Sequence, residues 1–287
     1  MSGRDRGEGE LVVLLHGAAA GQSPWAETGR SWEATRARLE SLGYRCIAPD
    51  LPGHGANRAE AVEDLRFARA CEAVAETIRG NGAAAHVVGH AEAGITALLL
   101  ARRSAQEGLG IRVLSCTVVG GYGAEPTADG VERVVLSHPP EPRWSAPSQR
   151  WALRRLSYSG DALGDRCDDE QAIESARAAA ALLEQPGAAV GIAGDLLRAK
   201  GEIFAYARDH GYDVPISLTW GMHDPLSEPP RAVELMNLLA STTAHLELNL
   251  VDRAGHFAHR ERPEEFHRLL EGFLSLSGVA STEEERA

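Results

Sequence analysis

Positive charge, cysteine and long apolar runs are all scarce in this chain. Lys200 is its one lysine, and 41 Asp and Glu residues outnumber 29 Lys and Arg, for a formal net charge of −12. A surface of that sign repels nucleic acid and anionic membrane, so neither is expected as a partner. No stretch near the start joins basic residues to an apolar segment, and no uninterrupted apolar run is long enough to span a bilayer. The four cysteines, Cys46, Cys71, Cys116 and Cys167, lack metal-ligand spacing and read as free thiols rather than as disulfides or a zinc site. No metal is expected. The abundance of Arg, Ala and Gly is what GC-rich codons produce, and the expectation is an actinobacterial, cytoplasmic source. No internal repeat or low-complexity linker divides the 287 residues, a length that suits one large α/β domain or a core with an inserted cap.

Strand and helix patterns alternate through most of the chain. Leu11 to Leu15 is a continuous apolar run, as expected for a strand buried on both faces of a parallel sheet. A helical pattern over Ser31 to Leu42 leads to a short strand at Tyr44 to Ala48 and a turn-rich loop, Pro49 to Gly55. Ala59 to Arg79 reads as one helix, Ala85 to Gly89 as a strand, Ile95 to Arg103 as a helix and Ile111 to Val119 as a strand. Further on come a strand at Ile216 to Trp220, a helix at Arg231 to Leu239, a strand at His245 to Val251 and a closing helix from Pro263. The pattern predicts a doubly wound, mostly parallel α/β sheet whose strand C-termini line one edge. Between Gly123 and Val214 the rhythm stops. Early prolines give way there to helical runs at Ser148 to Leu156, Asp169 to Leu183 and Gly191 to Asp209. The expected organisation is a core at residues 1–124 and 214–287, with a helical lid at 125–213.

One segment carries the sharpest chemical signal. Gly89-His90-Ala91-Glu92-Ala93-Gly94 follows a strand and opens a helix, the frame of a nucleophile elbow. Its small residues let strand and helix approach, and its central side chain stands in a strained turn above the sheet. That side chain belongs to Ala91, which has no nucleophilic atom. Three other features fall at strand ends. His16-Gly17-Ala18-Ala19 supplies small residues whose backbone N–H groups suit an oxyanion, from Ala18 or Ala19, with Glu92 as the second donor. Asp224 follows the strand ending at Trp220, and His256 follows the last strand. Nucleophile position, acid, then histidine is the chain order of an elbow hydrolase. Glu125 and Asp252 compete with Asp224 as the acid. Asp252 lies too near His256 in sequence to cross the site, and Glu125 lacks a Gly-x-x turn before it. His54 and His90 line loops near the site, where structural roles are the simpler reading. His138, Trp144 and Trp151 fall in the lid, where lining a substrate and plain packing are both open.

Together these pieces resemble the α/β-hydrolase superfamily over nearly the whole chain. Leu153-Arg154-Arg155-Leu156-Ser157-Tyr158 and the run from Gly255 to Phe266 are similar to the meta-cleavage-product hydrolases, which cut carbon–carbon bonds. Those enzymes usually carry Asn before the nucleophile and Trp after the catalytic histidine, where this chain has His90 and Phe257. Only ten residues precede the first strand, so the sheet is expected to lack one or two N-terminal edge strands. The resemblance implies a Ser-His-Asp hydrolase without cofactor, acting on an ester, thioester, lactone or C–C bond of an apolar small molecule. His90, Trp144, Trp151 and Phe257 are then expected at the substrate. With Ala91 at the elbow, three forms of that reading stand. They are a serine enzyme present as an inactive Ser-to-Ala variant, a serine-free enzyme using His256 and Asp224 as a general-base dyad, and a ligand-binding pseudo-hydrolase.

Overall fold

A computed structural model describes residues 9–106, 108–121, 140–160, 163, 169–243 and 245–284. Six parallel strands form one sheet: β1 (Leu11–Leu15), β2 (Arg45–Ile47), β3 (Ala84–His90), β4 (Arg112–Val119), β5 (Ile216–Gly221) and β6 (Leu246–Val251). Their spatial order is β2-β1-β3-β4-β5-β6. Among the described residues no strand precedes β1, and β2 is the edge on that side. β4 and β5 lie side by side, Cys116 opposite Ile216, although 96 residues separate them in sequence.

Both faces of the sheet are buried, which explains the unbroken apolar run of β1. Leu11, Val13 and Leu15 join a cluster with α2 (Phe67–Arg79), α3 (Ala93–Gln106), the end of α6 (Ala188–Asp209) and α7 (Pro229–Ala240). Val12 and Leu14 face the other way. They pack with Leu39 of α1 (Glu33–Ser41) and with Phe266, Leu270 and Leu274 of α9 (Pro263–Glu284). Each such side chain contributes about 1.5–3 kcal/mol when fully buried. The short α8 (Ala258–Glu261) carries the chain from the last strand into α9.

The stretch expected as one helix from Ala59 is broken. Val62–Leu65 forms a 3₁₀ turn, Arg66 is extended, and α2 begins at Phe67. The break has a tertiary cause: Asp195 of α6 accepts the Phe67 N–H at 2.9 Å and so caps α2 from outside its own sequence. In the inserted region, α4 (Ala146–Leu156) is capped by Ser145 and α5 (Glu170–Leu183) by Asp169. α6 starts three residues before the sequence pattern suggests. Its last turns are not a cover: Ala199, Ile203, Tyr206 and Ala207 sit in the main core, and Glu202 pairs with Arg102 and Arg103 of α3. Residues 122–139, which hold Glu125 and His138, lie outside the described residues, as does Cys167. Cys46 and Cys116 are free thiols, and Cys71 is buried in the core. No helix among the described residues is long and apolar enough to cross a membrane.

Candidate active site

The elbow forms because β3 and α3 almost touch. A Cβ on Gly89 would meet the Ala93 carbonyl oxygen at 2.3 Å, and one on Gly94 would meet Val118 at 2.7 Å. Between them Ala91 is held at φ +50°, in the left-handed region, by its N–H donating to the Val119 carbonyl at 2.9 Å. A non-glycine residue in such a conformation costs about 1–3 kcal/mol, a strain typical of functional turns.

Asp224 follows β5 and His256 follows β6. Asp224 Oδ1 accepts the Leu226 and Ser227 N–H groups at 2.8 and 3.0 Å, and Oδ2 accepts from His256 Nδ1 at 2.8 Å. An ionised carboxylate only accepts, so the imidazole proton sits on Nδ1 and Nε2 is left with its lone pair. Nε2 is buried and has no hydrogen-bond partner. Burial alone would lower the His256 pKa, but the charge of Asp224 and its hydrogen bond outweigh it and raise the value above the ordinary one. Gly120, at φ +51°, lies against the same segment, since a Cβ there would sit 3.1 Å from the His256 carbonyl oxygen. The base is also tied to α4, because His256 N–H donates to the Leu156 carbonyl at 2.8 Å. Asp252 is exposed and pairs with His223 and Arg253 instead.

On the oxyanion side, Ala18 has φ +69° and its carbonyl accepts from His54 Nε2 at 3.0 Å. Burial pushes the His54 pKa down to about 3, which keeps that ring neutral. The pair Ala18 or Ala19 resolves by geometry, because Ala19 N–H already donates to Ser23 Oγ at 3.0 Å. Ala18 is therefore the donor candidate from this loop. Glu92 follows Ala91 as expected and borders the cavity described next.

A cavity of about 160 Å³ opens beside Ala18 and Glu92, walled by Leu51, Leu65, Phe67, Ile192 and Leu196. His90, Trp144, Trp151 and Phe257, expected from the resemblance at the substrate, are not among the residues that line it. Trp144 is buried against Ile173 and Ala176, with its indole N–H on the Ser23 carbonyl at 2.9 Å. Phe257 and Trp151 pack with Trp25, Leu153, Leu156 and Leu226 in a cluster that also holds Ala18. His90 is wholly buried behind the base. No cluster of His, Cys, Asp and Glu among the described residues could hold a metal ion.

Glu27, Arg260 and Trp25 were not visible in the sequence as site residues. Trp25 stands edge-on to His256 with ring centres 5.8 Å apart. Glu27 is buried in a loop whose polar, turn-rich composition reads as solvated. No periodicity or motif marks it.

Residues 12–269 match the alpha/beta hydrolase family. A curated relative, 2-hydroxy-6-oxo-6-phenylhexa-2,4-dienoate hydrolase from Burkholderia cepacia, is 33% identical over 95 residues, which is 33% of this chain and 32% of that protein. The match thus covers only a minor part of either. Among solved structures, the meta-cleavage product hydrolase from Pseudomonas fluorescens IP01, a serine-to-alanine mutant complexed with acetates, aligns with TM-score 0.63 at 20% identity. That alignment covers 94% of this chain and 92% of the other. The 2-hydroxy-6-oxo-6-phenylhexa-2,4-dienoate hydrolase from Rhodococcus sp. strain RHA1 aligns with TM-score 0.65 at 17% identity, over 92% and 90% of the two chains. A monoacylglycerol lipase from Paleococcus ferrophilus gives 0.64 at 17% identity, over 93% and 94%. At these identities the structural likenesses establish the shared fold.

Proposed function

The chain belongs to the α/β-hydrolase family, and from that premise we propose a site for an apolar small molecule with an ester, thioester, lactone or C–C bond beside a carbonyl. His256 is the base, Asp224 orients it, and position 91 is the place of the nucleophile. The observation that carries this reading is the buried, unpartnered Nε2 of His256, with Nδ1 anchored on Asp224. An imidazole so held is set to take a proton from something absent in the folded chain, and the elbow is where a hydroxyl would stand.

In the Ala91→Ser form, Nε2 would remove the hydroxyl proton as the oxygen attacks the substrate carbonyl. The Ala18 and Glu92 N–H groups would hold the oxyanion, and a water activated by the same nitrogen would release the acyl group. The chain as given binds but lacks the attacking atom. The curated relative acts on a phenyl-substituted dienoate, and C–C cleavage enters the reading on that ground. His90 and Phe257, in place of Asn and Trp, extend it to the ester, thioester and lactone classes. The cavity beside Ala18 and Glu92 is the candidate seat of the apolar part, under a lid made by α4, α5 and the first turns of α6. Hydrolysis of activated acyl esters by the Ala91→Ser form, with none by the chain as given, is the test. A folded serine form with no activity toward esters, thioesters or meta-cleavage products would overturn it.

The same nitrogen supports a second reading, in which a substrate C–H or O–H supplies the proton and no residue at position 91 is needed. His256 and Asp224 would then serve a cyclase, eliminase or cofactor-free oxygenase. Solvent-deuterium exchange into a bound ligand by the chain as given, abolished by His256→Gln, would favour it.

A further inference from the structure

The geometry points to Glu27 as a positioning residue that ties three separate parts of the site together, an inference that rests on reading His256 as the base. Glu27 is buried, at 4% exposure, in the loop after β1. Its Oε2 accepts the Gly17 N–H at 2.9 Å, within the oxyanion loop, and faces His90 Nδ1 at 3.3 Å, just before the elbow. Its Oε1 accepts from Arg260 Nη1 at 3.0 Å, four residues beyond the base. The other edge of the His90 ring continues the chain of contacts, with Nε2 3.1 Å from the His256 carbonyl oxygen. One carboxylate thus spans the oxyanion loop, the elbow strand and the segment that carries the base. None of these segments is near another in sequence.

Burying a carboxylate and a guanidinium together seldom adds stability, since apolar side chains of similar volume do as well or better. An ion pair kept at this point is therefore better explained by what it aligns. Burial works against ionisation of Glu27, yet His90 and Arg260 more than offset it and hold its pKa below the carboxylate range. It remains a fixed negative charge behind the base. The groups facing His256 are Asp224 from the loop after β5, Glu27 from the loop after β1, His90 from β3, and His259 and Glu261 from its own segment. Among them Glu27 acts with Asp224 to favour the imidazolium.

The role can be read without turnover, so its failure is separable from failure of the proposed hydrolysis. In the chain as given, with histidine rings labelled, the titration midpoint of His256 and its Nδ1–H signal are followed by NMR. Glu27→Gln keeps the volume and removes the charge. The expected result is a His256 midpoint lowered by about half a pH unit or more, with a weakened Nδ1–H signal. A folded Glu27→Gln chain with an unchanged midpoint and signal overturns the role. Because Glu27→Gln removes one charge of a buried ion pair, the neutral pair Glu27→Gln/Arg260→Gln is the second variant. It should fold and still show altered His256 and His90 ring signals. A neutral pair with parental signals, or one that fails to fold, assigns Glu27 to the fold alone and overturns the inference.

Discussion

Replacing Asp224 by Asn isolates the orienting role of the acid at almost constant volume. In the folded chain, Oδ1 serves the Leu226 and Ser227 N–H groups and Oδ2 serves His256 Nδ1. An Asn amide has one accepting end and one donating end. Turning its NH₂ toward Leu226 and Ser227 would set donor against donor, at about 1–3 kcal/mol for each buried N–H left unsatisfied. The amide therefore keeps its oxygen on the backbone and presents NH₂ to His256. That group can only donate, so Nδ1 must accept and the imidazole proton moves to Nε2. The atom that should take a proton then already holds one. In a triad enzyme this change lowers kcat by about 10⁴, or about 5.4 kcal/mol of barrier at 1.36 kcal/mol per tenfold. The assay is acyl-ester hydrolysis by Ala91→Ser with and without Asp224→Asn, with the tautomer of His256 read by nitrogen NMR in the chain as given. A tautomer that stays on Nδ1, or a kcat that falls by less than about tenfold, would refute the reasoning.

Because Asp224 raises the His256 pKa, the acid limb of kcat/KM in the Ala91→Ser form should lie above the ordinary histidine value of about 6.5; a limb below it contradicts the assignment. The same shift stabilises the fold at low pH, fully below the unfolded value of about 6.5, and fades as pH rises through the raised folded pKa. Denaturant unfolding at several pH values should therefore show the gap between the parent chain and Asp224→Asn narrowing as pH rises; a widening gap reverses the sign and defeats the argument. Asp195→Ala removes the cap on Phe67 N–H and should cost about 1 kcal/mol by urea titration, whereas no loss would mean that α2 is capped otherwise. Gly17→Ala would place a methyl 2.6 Å from His90 Nδ1 and 2.9 Å from the Ala91 Cβ. A destabilisation of about 1–3 kcal/mol is expected from such overpacking, and a neutral result would show that the loop can yield. In the Ala91→Ser form, Leu196→Trp narrows the cavity beside Glu92 and should raise KM for long acyl chains over acetyl by about tenfold or more; an unchanged preference puts the substrate elsewhere.

The legible parts of this protein are those where cause and effect lie close together in sequence. In β1, alternate residues feed two different cores, Val13 one and Val12 the other, and an unbroken apolar run is the direct imprint of that. Gly89 marks a contact between elements only a few residues apart, because a Cβ there would meet the Ala93 carbonyl. Asp224 and His256 were readable because each follows its own strand, and parallel strands deliver their ends to one edge. What stayed hidden depends on partners far away. Asp195 breaks a helix 128 residues upstream, and Glu27 meets Arg260 across 233 positions. Ala18 has its carbonyl bound by His54, 36 residues on, and Trp144 has its indole committed to a carbonyl 121 residues away. A local pattern carries no trace of such pairings, so a polar loop residue and an apolar lid residue are assigned their average roles.

Ala91 itself lies between the two cases. The elbow was legible, yet the strain it imposes belongs to the folded chain. An alanine is kept at φ +50° at the elbow, and the buried Asp–His pair carries an imidazole nitrogen with no partner. A glycine at position 91 would relieve the backbone, and an apolar side chain in place of His256 would remove the unsatisfied nitrogen. Each change would favour the empty fold. Their joint presence is understandable if the arrangement is completed from outside, by a bound carbonyl compound or by a hydroxyl at the elbow. For that reason the site, and not the sheet beneath it, is where function should be sought.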